Sequence, residues 1–225
     1  MRKDFAVFIL TNGRPDKQKS LRTLKKSNYT GNYYLICDNE DKTLPEYQRI
    51  YGDKVIVFDK LEIANAFDEY DNFKKRKTIF YARNACFAIA KKLGLKYFLE
   101  LDDDTEEFHQ RDTNWHSTDI SDFDKVVDIM IDWLESSDRI KSVAFLQGGD
   151  FLGGIQNETF WKGFKRKAMN SFFCSVEKPF EFLGRVNEDV NTYTLSATRG
   201  DIFLSTANMI LEQTDTQQNQ GGNDR

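Results

Sequence analysis

The sequence predicts an α/β fold with a mostly parallel central sheet flanked by helices, and three observations carry that prediction. Short apolar runs recur along the 225 residues, and each ends in polar or acidic residues. The runs are continuous rather than alternating, as strands covered on both faces are. Stretches with helical spacing separate them, which is the alternation of a parallel sheet with right-handed crossovers.

Taken in order, Phe5 to Leu10 is the first such run and breaks at Thr11-Asn12-Gly13-Arg14-Pro15-Asp16. Proline suits a first helical turn and Asp16 suits the positive end of a helix, so a polar helix is expected from there to about Ser27. Tyr33 to Cys37 reads as a second strand ending in Asp38-Asn39-Glu40-Asp41, and Val55 to Phe58 as a third ending at Asp59. No GxGxxG or GxxxxGK[ST] follows the first strand, which disfavours dinucleotide and Walker-type ATP sites.

Asp68 to Lys77 is strongly polar and reads as a mobile connection. Beyond it Ala82, Cys86, Ile89 and Leu93 share one helical face, with Gly94 as the C-terminal stop. Tyr97 to Leu101 is then an apolar strand interrupted only by Glu100, and it empties into Asp102-Asp103-Asp104. In open α/β sheets ligands bind beyond the carboxyl ends of strands. Adjacent carboxylates repel one another unless they are solvated, cap a helix or are neutralised by a cation. The triplet is therefore either a divalent-cation and diphosphate site or a solvated acidic turn.

Ser121-Asp122 opens a helix with the stripe Phe123, Val126, Val127, Met130 and Leu134. Ser142 to Leu146 follows as a strand, and then two glycine pairs, Gly148-Gly149 and Gly153-Gly154, which permit close backbone approach or form a surface turn. Phe160 to Lys167 interleaves aromatics with cations, a combination that suits phosphate contact and base stacking and also occurs on exposed basic faces. Asn170 to Ser175 reads as an edge strand. Glu188-Asp189 opens a further helix that Asp189 is placed to cap, and Ile202 to Leu204 is a last strand.

Composition sets bounds on function. Hydrophobic residues make up 40% of the chain, with 19 Phe and 9 Tyr, enough for a packed core of one domain. One domain is expected over residues 1–212, with 213–225 a polar flexible tail or the start of a loop. Net charge is −4, so a polyanionic partner would have to be met by a local patch. Cys37, Cys86 and Cys174 are odd in number and far apart, which fits neither a zinc motif nor a disulfide framework and points to a reducing compartment. The opening apolar run is too short for a signal peptide or a membrane span. A soluble cytoplasmic protein with no membrane partner is expected.

With these pieces placed, the chain resembles the TET-associated glycosyltransferases of bacteriophages, enzymes of the GT-A type, a nucleotide-sugar-binding fold. The resemblance rests on Phe8 to Asp16, Tyr81-Ala82-Arg83-Asn84-Ala85, Phe98 to Asp104 and Asn187-Glu188-Asp189, in that order, and spans nearly all of residues 5–220. It implies a UDP-sugar donor bound with Mn²⁺ or Mg²⁺, and an acceptor that is a hydroxymethylated pyrimidine, such as hydroxymethylcytosine, in phage DNA within the infected host's cytosol. Carried to this chain, Thr11 and Arg14 line the nucleotide pocket, Asp38 faces the uracil or ribose, and Arg83 lies near the donor. Asp102 and Asp103 belong to the donor site, Asp104 coordinates the metal with Asp102, and Glu188-Asp189 is the acidic pair, Asp189 serving as general base. Lys162, Lys165, Arg166 and Lys167 would meet the DNA backbone, with Trp161 and Phe164 available to stack on a base. Two readings stand beside this one: a catalytically silent module that binds nucleotide-sugar or modified DNA, and a GT-A transferase acting on a protein or glycan.

Overall fold

The computed structural model describes residues 2–68, 76, 78–112, 114–149 and 168–214. One sheet of nine strands runs through them in the order β3-β2-β1-β4-β8-β7-β9-β5-β6. The parallel sheet read from the sequence is its first half: β1 (Phe5–Leu10) pairs in parallel with β2 (Asn32–Asp38) and with β4 (Tyr97–Asp102), and β3 (Val55–Phe58) lies outside β2. Beyond β4 the sheet is mixed. β8 (Ser171–Ser175) runs antiparallel to β4 and to β7 (Ile140–Gln147). β9 (Ile202–Gln213) is parallel to β7 and antiparallel to β5 (Thr105–Arg111), which carries β6 (Ser117–Asp119) at the rim.

The apolar runs have their cause in two cores, one on each side of β1. Phe5, Val7 and Ile9 pack with Leu24 of α1 (Lys19–Lys26) and with Phe123, Val127 and Met130 of α5 (Phe123–Glu135). Ala6, Phe8 and Leu10 face the other way, onto Phe80, Tyr81, Cys86 and Ala90 of α4 (Phe80–Lys92). Every residue of β1 is buried, and alternation disappears because both faces are covered.

Several boundaries differ from the sequence reading for identifiable reasons. Helix α1 begins at Lys19 rather than Asp16, because the Gln18 side chain donates to Thr11 Oγ1 and to the Arg14 carbonyl and so pins the loop before it. Two short helices went unread, α2 (Leu44–Tyr51) and α3 (Lys60–Ala66). Asp59, expected only to end a strand, caps α3 by accepting from the Glu62 amide. The expected edge strand at Asn170 to Ser175 is the interior strand β8, buried throughout; its serines satisfy backbone, as where Ser171 Oγ accepts from the Phe145 amide at 3.0 Å. In α6 (Glu188–Ala197) the cap is Asn187, in a left-handed conformation, so Asp189 lies in the first turn instead of capping it.

The last strand is far longer than Ile202 to Leu204. It runs to Gln213, one residue into the segment expected to be a tail, because it fills the gap between β7 and β5. β5 and β6 were unread: Thr-Glu-Glu-Phe-His-Gln-Arg buries only Thr105 and Phe108, and charged residues have low strand propensity. Pairing with β9 decides β5, and pairing with β5 decides β6. Gly153-Gly154, most of the polar connection at 68–77, and residues 215–225 lie outside the described residues.

Candidate active site at the strand ends

The strand ends that face one another are those of β1, β2 and β4, and the loops following them hold the polar residues singled out in the sequence. The three consecutive aspartates are pulled three ways. Asp102, the last residue of β4, shares a sheet face with Glu100 because strand side chains alternate, and both point toward α4. There Arg83 reaches Asp102 Oδ1 at 3.2 Å, Glu100 Oε2 at 3.4 Å and Glu188 Oε1 of α6 at 3.3 Å. Its guanidinium also lies over the Phe172 ring at 4.9 Å and the Phe182 ring at 5.5 Å. Asn84 holds that cover in place, exchanging hydrogen bonds with the Phe182 backbone at 2.9 and 3.0 Å.

Arg83 is only 2% exposed. Burial opposes its charge, but Asp102, Glu188 and Glu100 more than offset this and raise its pKa above the ordinary value. Arg83, expected near the donor, ties β4 to the helix that carries Glu188 and Asp189. Burial pushes Glu100 up to about 8 against the opposing pull of Arg83, and its Oε1 has no hydrogen-bond partner. Burial likewise raises Asp102 and Glu188, again opposed by Arg83.

Asp103 turns to the β1 loop. Its Oδ1 lies 2.9 Å from the Arg14 guanidinium and its Oδ2 accepts from Thr11 Oγ1 at 2.6 Å. Since Thr11 donates there, Tyr47 donates to Thr11 at 2.6 Å and in turn accepts from the Arg14 amide at 3.0 Å. Burial pushes Asp103 up to about 6, with Arg14 opposing. Asp103 and Thr11, expected to line the donor pocket, brace the loop after β1 to the end of β4, and Arg14, a third exposed at its side chain, lies at the rim.

Asp104 turns toward β9. The Gln213 amide nitrogen lies 3.0 Å from Asp104 Oδ1 and 3.4 Å from Asp102 Oδ2, so two carboxylate oxygens converge on one point. Asn170 donates to Gln213 Oε1 and orients that amide. A hard divalent ion takes oxygen ligands and is often held by one or two carboxylates. The convergence fits such an ion, with Asp102 and Asp104 as ligands.

On the β2 side, Asp38 Oδ2 accepts from Asn12 at 2.8 Å and pairs with Lys60 at 2.9 Å, while its Oδ1 accepts from the Glu40 amide at 3.0 Å. Asp41 fixes the same loop by accepting from the Gly13 amide at 2.9 Å. In α6, Asp189 is half-buried and accepts from the Val190 amide at 2.8 Å. Lys162, Lys165, Arg166 and Lys167, with Trp161 and Phe164, lie outside the described residues.

Tyr47, Lys60 and Gln213 escaped the sequence reading because each acts across a long chain separation, and Gln18 because a glutamine that pins a loop has no pattern of its own. Glu100 carried a readable signal: a carboxylate inside an apolar strand is buried only when paired or neutral.

Comparison with known proteins adds three findings. A family model described as TET-Associated Glycosyltransferase matches residues 5–222. No curated protein sequence matches the chain. Among solved structures, glucosyl-3-phosphoglycerate synthase from Mycobacterium tuberculosis, in complex with Mg²⁺ and uridine diphosphate, aligns over 95% of this chain and 72% of its own, with a TM-score of 0.51 and 9% identity. A putative nucleotide-diphospho-sugar transferase from Desulfovibrio desulfuricans G20 aligns over 95% of this chain and 83% of its own, with a TM-score of 0.51 and 8% identity.

Proposed function

Because the chain belongs to the TET-associated glycosyltransferase family, and is thus a glycosyltransferase of α/β fold, we propose that it moves a sugar from a UDP-sugar to the hydroxymethyl group of a pyrimidine in phage DNA, in the host cytosol. The observation that carries the donor side is the convergence of Asp102 Oδ2 and Asp104 Oδ1 on one point at the end of β4. There they would hold Mn²⁺ or Mg²⁺ in place of the Gln213 amide. The related M. tuberculosis enzyme is described with Mn²⁺ and UDP-glucose at a TM-score of 0.50 and 9% identity, which supports the same donor chemistry. A divalent ion at that point supplies Lewis-acid stabilisation of the charge that gathers on the leaving diphosphate.

The protein's own groups do the rest. Asn12, Asp38 and Lys60 form the polar wall beside β2 against which the nucleoside rests, and Arg14 at the rim faces the diphosphate. Asp189 takes the proton of the acceptor hydroxyl as the sugar C1 bond to that oxygen forms and the bond to the diphosphate breaks, the electron pair leaving with UDP. Glu188 is held by Arg83, so its role is to fix the start of α6 and with it the position of Asp189. Lys162, Lys165, Arg166 and Lys167 supply the cations that a phosphate backbone needs in a chain of net negative charge.

The experiment is mass spectrometry of nucleosides from hydroxymethylcytosine DNA after incubation with the protein, Mn²⁺ and a panel of UDP-sugars. A hexose- or acetylhexosamine-sized mass gain that vanishes with Asp104→Ala supports donor, acceptor and metal together. Donor hydrolysis without nucleoside gain would sink the DNA acceptor and favour a protein or glycan, and donor binding without turnover would favour the silent module.

A further inference from the structure

A second cluster of metal-ligand side chains lies on the β9-β5-β6 ribbon and shares no residue with the Asp102 and Asp104 pair. Glu107 and His109 stand two residues apart on β5, hence on one face. The pairing register sets Glu212 of β9 opposite Glu107 and Asp119 of β6 opposite His109. Three carboxylates thus surround one imidazole, and two of them, Glu107 and Glu212, are like charges directly opposed across strands, which destabilises a sheet when nothing lies between them.

The atoms are specifically arranged. His109 Nε2 lies 2.9 Å from Glu107 Oε2 and 3.9 Å from Glu212 Oε1, while Nδ1 lies 3.1 Å from Asp119 Oδ1. Ligand atoms of Glu107, His109 and Asp119 all fall within 4.8 Å of one another. Lys26 does not fill this space: it takes the outer oxygens, Glu107 Oε1 at 3.4 Å and Asp119 Oδ2 at 3.0 Å, and leaves the inner ones turned to the imidazole. His109 is mostly buried, whereas the second histidine, His116, has a side chain 78% exposed.

We infer that Glu107, His109 and Glu212 bind a first-row transition-metal ion of the Zn²⁺ type, with Asp119 orienting the imidazole. A donated Nδ1–H to Asp119 fixes the tautomer and leaves the Nε2 lone pair facing Glu107 and Glu212, the carboxylate-histidine-metal arrangement. Ligands about 2.0–2.2 Å from Zn²⁺ lie about 3–3.5 Å from each other, and the two Nε2 separations bracket that span. One imidazole with two carboxylates selects such an ion over Mg²⁺, which prefers an all-oxygen octahedron. The ion would join β5, which starts immediately after Asp104, to β9, which ends at Gln213. It would thereby brace the strands that deliver both sides of the donor-site convergence, whichever acceptor the enzyme uses.

The test is a Zn²⁺ titration of the full chain followed by calorimetry and by nitrogen-15 NMR of the two imidazoles. The expected result is a saturable isotherm with the His109 Nε2 resonance moving and His116 unmoved, and no movement with Mg²⁺. Asp104→Asn should keep this binding, while His109→Gln or Glu212→Gln should weaken it about tenfold or more, and Asp119→Asn by about 10- to 100-fold. Glu212 is half-exposed, so its variant reports even if His109→Gln fails to fold. An unmoved His109 at saturating Zn²⁺, or binding lost in Asp104→Asn and kept in Glu212→Gln, would overturn the site.

Discussion

Arg83 and Glu100 meet where neither reaches water, and the pH response of the fold follows from that contact. Glu100 rises from an ordinary 4.5 to about 8 in the folded chain, through burial. A carboxyl raised on folding binds more protons in the native state, so its contribution to stability is fully present below about pH 4.5 and is lost as pH climbs toward about 8. Asp103, pushed up to about 6, acts in the same direction over the lower part of that window. In chelator, the urea midpoint of the wild type should therefore fall between pH 5.5 and 8. Glu100→Gln, which keeps the shape without the ionisation, should flatten that fall and be the more stable protein at pH 8; an equal slope in both would refute the assignment. At this same scale the sequence was legible in part. Three adjacent aspartates announced a charged site, but which one turns to Gln213, which braces a loop and which meets Arg83 could not be read from adjacency. Partners at residues 11, 83 and 213 decide it.

Elements with strong local signals were placed well, and those shaped by neighbours were not. Helix α4 ends where Gly94 adopts φ +70°, a conformation open to glycine and costly to other residues, and the Leu95 amide closes onto the Ala90 carbonyl at 3.0 Å. A Cβ at Gly94 would touch nothing within 4 Å. Gly94→Ala should thus lose stability through backbone strain alone, by about 1–2 kcal/mol, measurable as a lower urea midpoint at unchanged slope. The α5 start at Asp122 was equally local, since the cap's side chain bonds the Lys125 amide three residues away. By contrast β5, β6 and most of β9 carry no strand pattern of their own. Their residues become strands because a neighbouring edge offers hydrogen bonds, and for β5 and β9 that edge is far away in the chain.

For the whole molecule, β9 is the strand that joins β5 and β6 to the rest of the sheet. It lies between β7 and β5, and its final residues place Gln213 against Asp102 and Asp104. A chain stopped after Asp201 would leave β7 and β5 each with an unpaired edge, and edges of this kind template aggregation. Such a chain should lose its cooperative urea transition and bind dyes for exposed apolar surface; a sharp transition at the wild-type midpoint would show that β9 is dispensable.

By itself the sequence determined the two-sided burial of β1, β2 and β4, the helices α4 and α5, the family, and the position of the acidic turn. Each of these rests on short-range periodicity or on motif residues close together in the chain. Tertiary structure alone decided the mixed half of the sheet, the bracing of Arg83 by Glu100, Asp102 and Glu188, the convergence of Asp102 and Asp104 on Gln213, and the gathering of Glu107, His109, Asp119 and Glu212. Hydrogen-bond pairing between distant strands and the pairing of buried charges are non-local energies, and they are settled only when the chain has closed on itself.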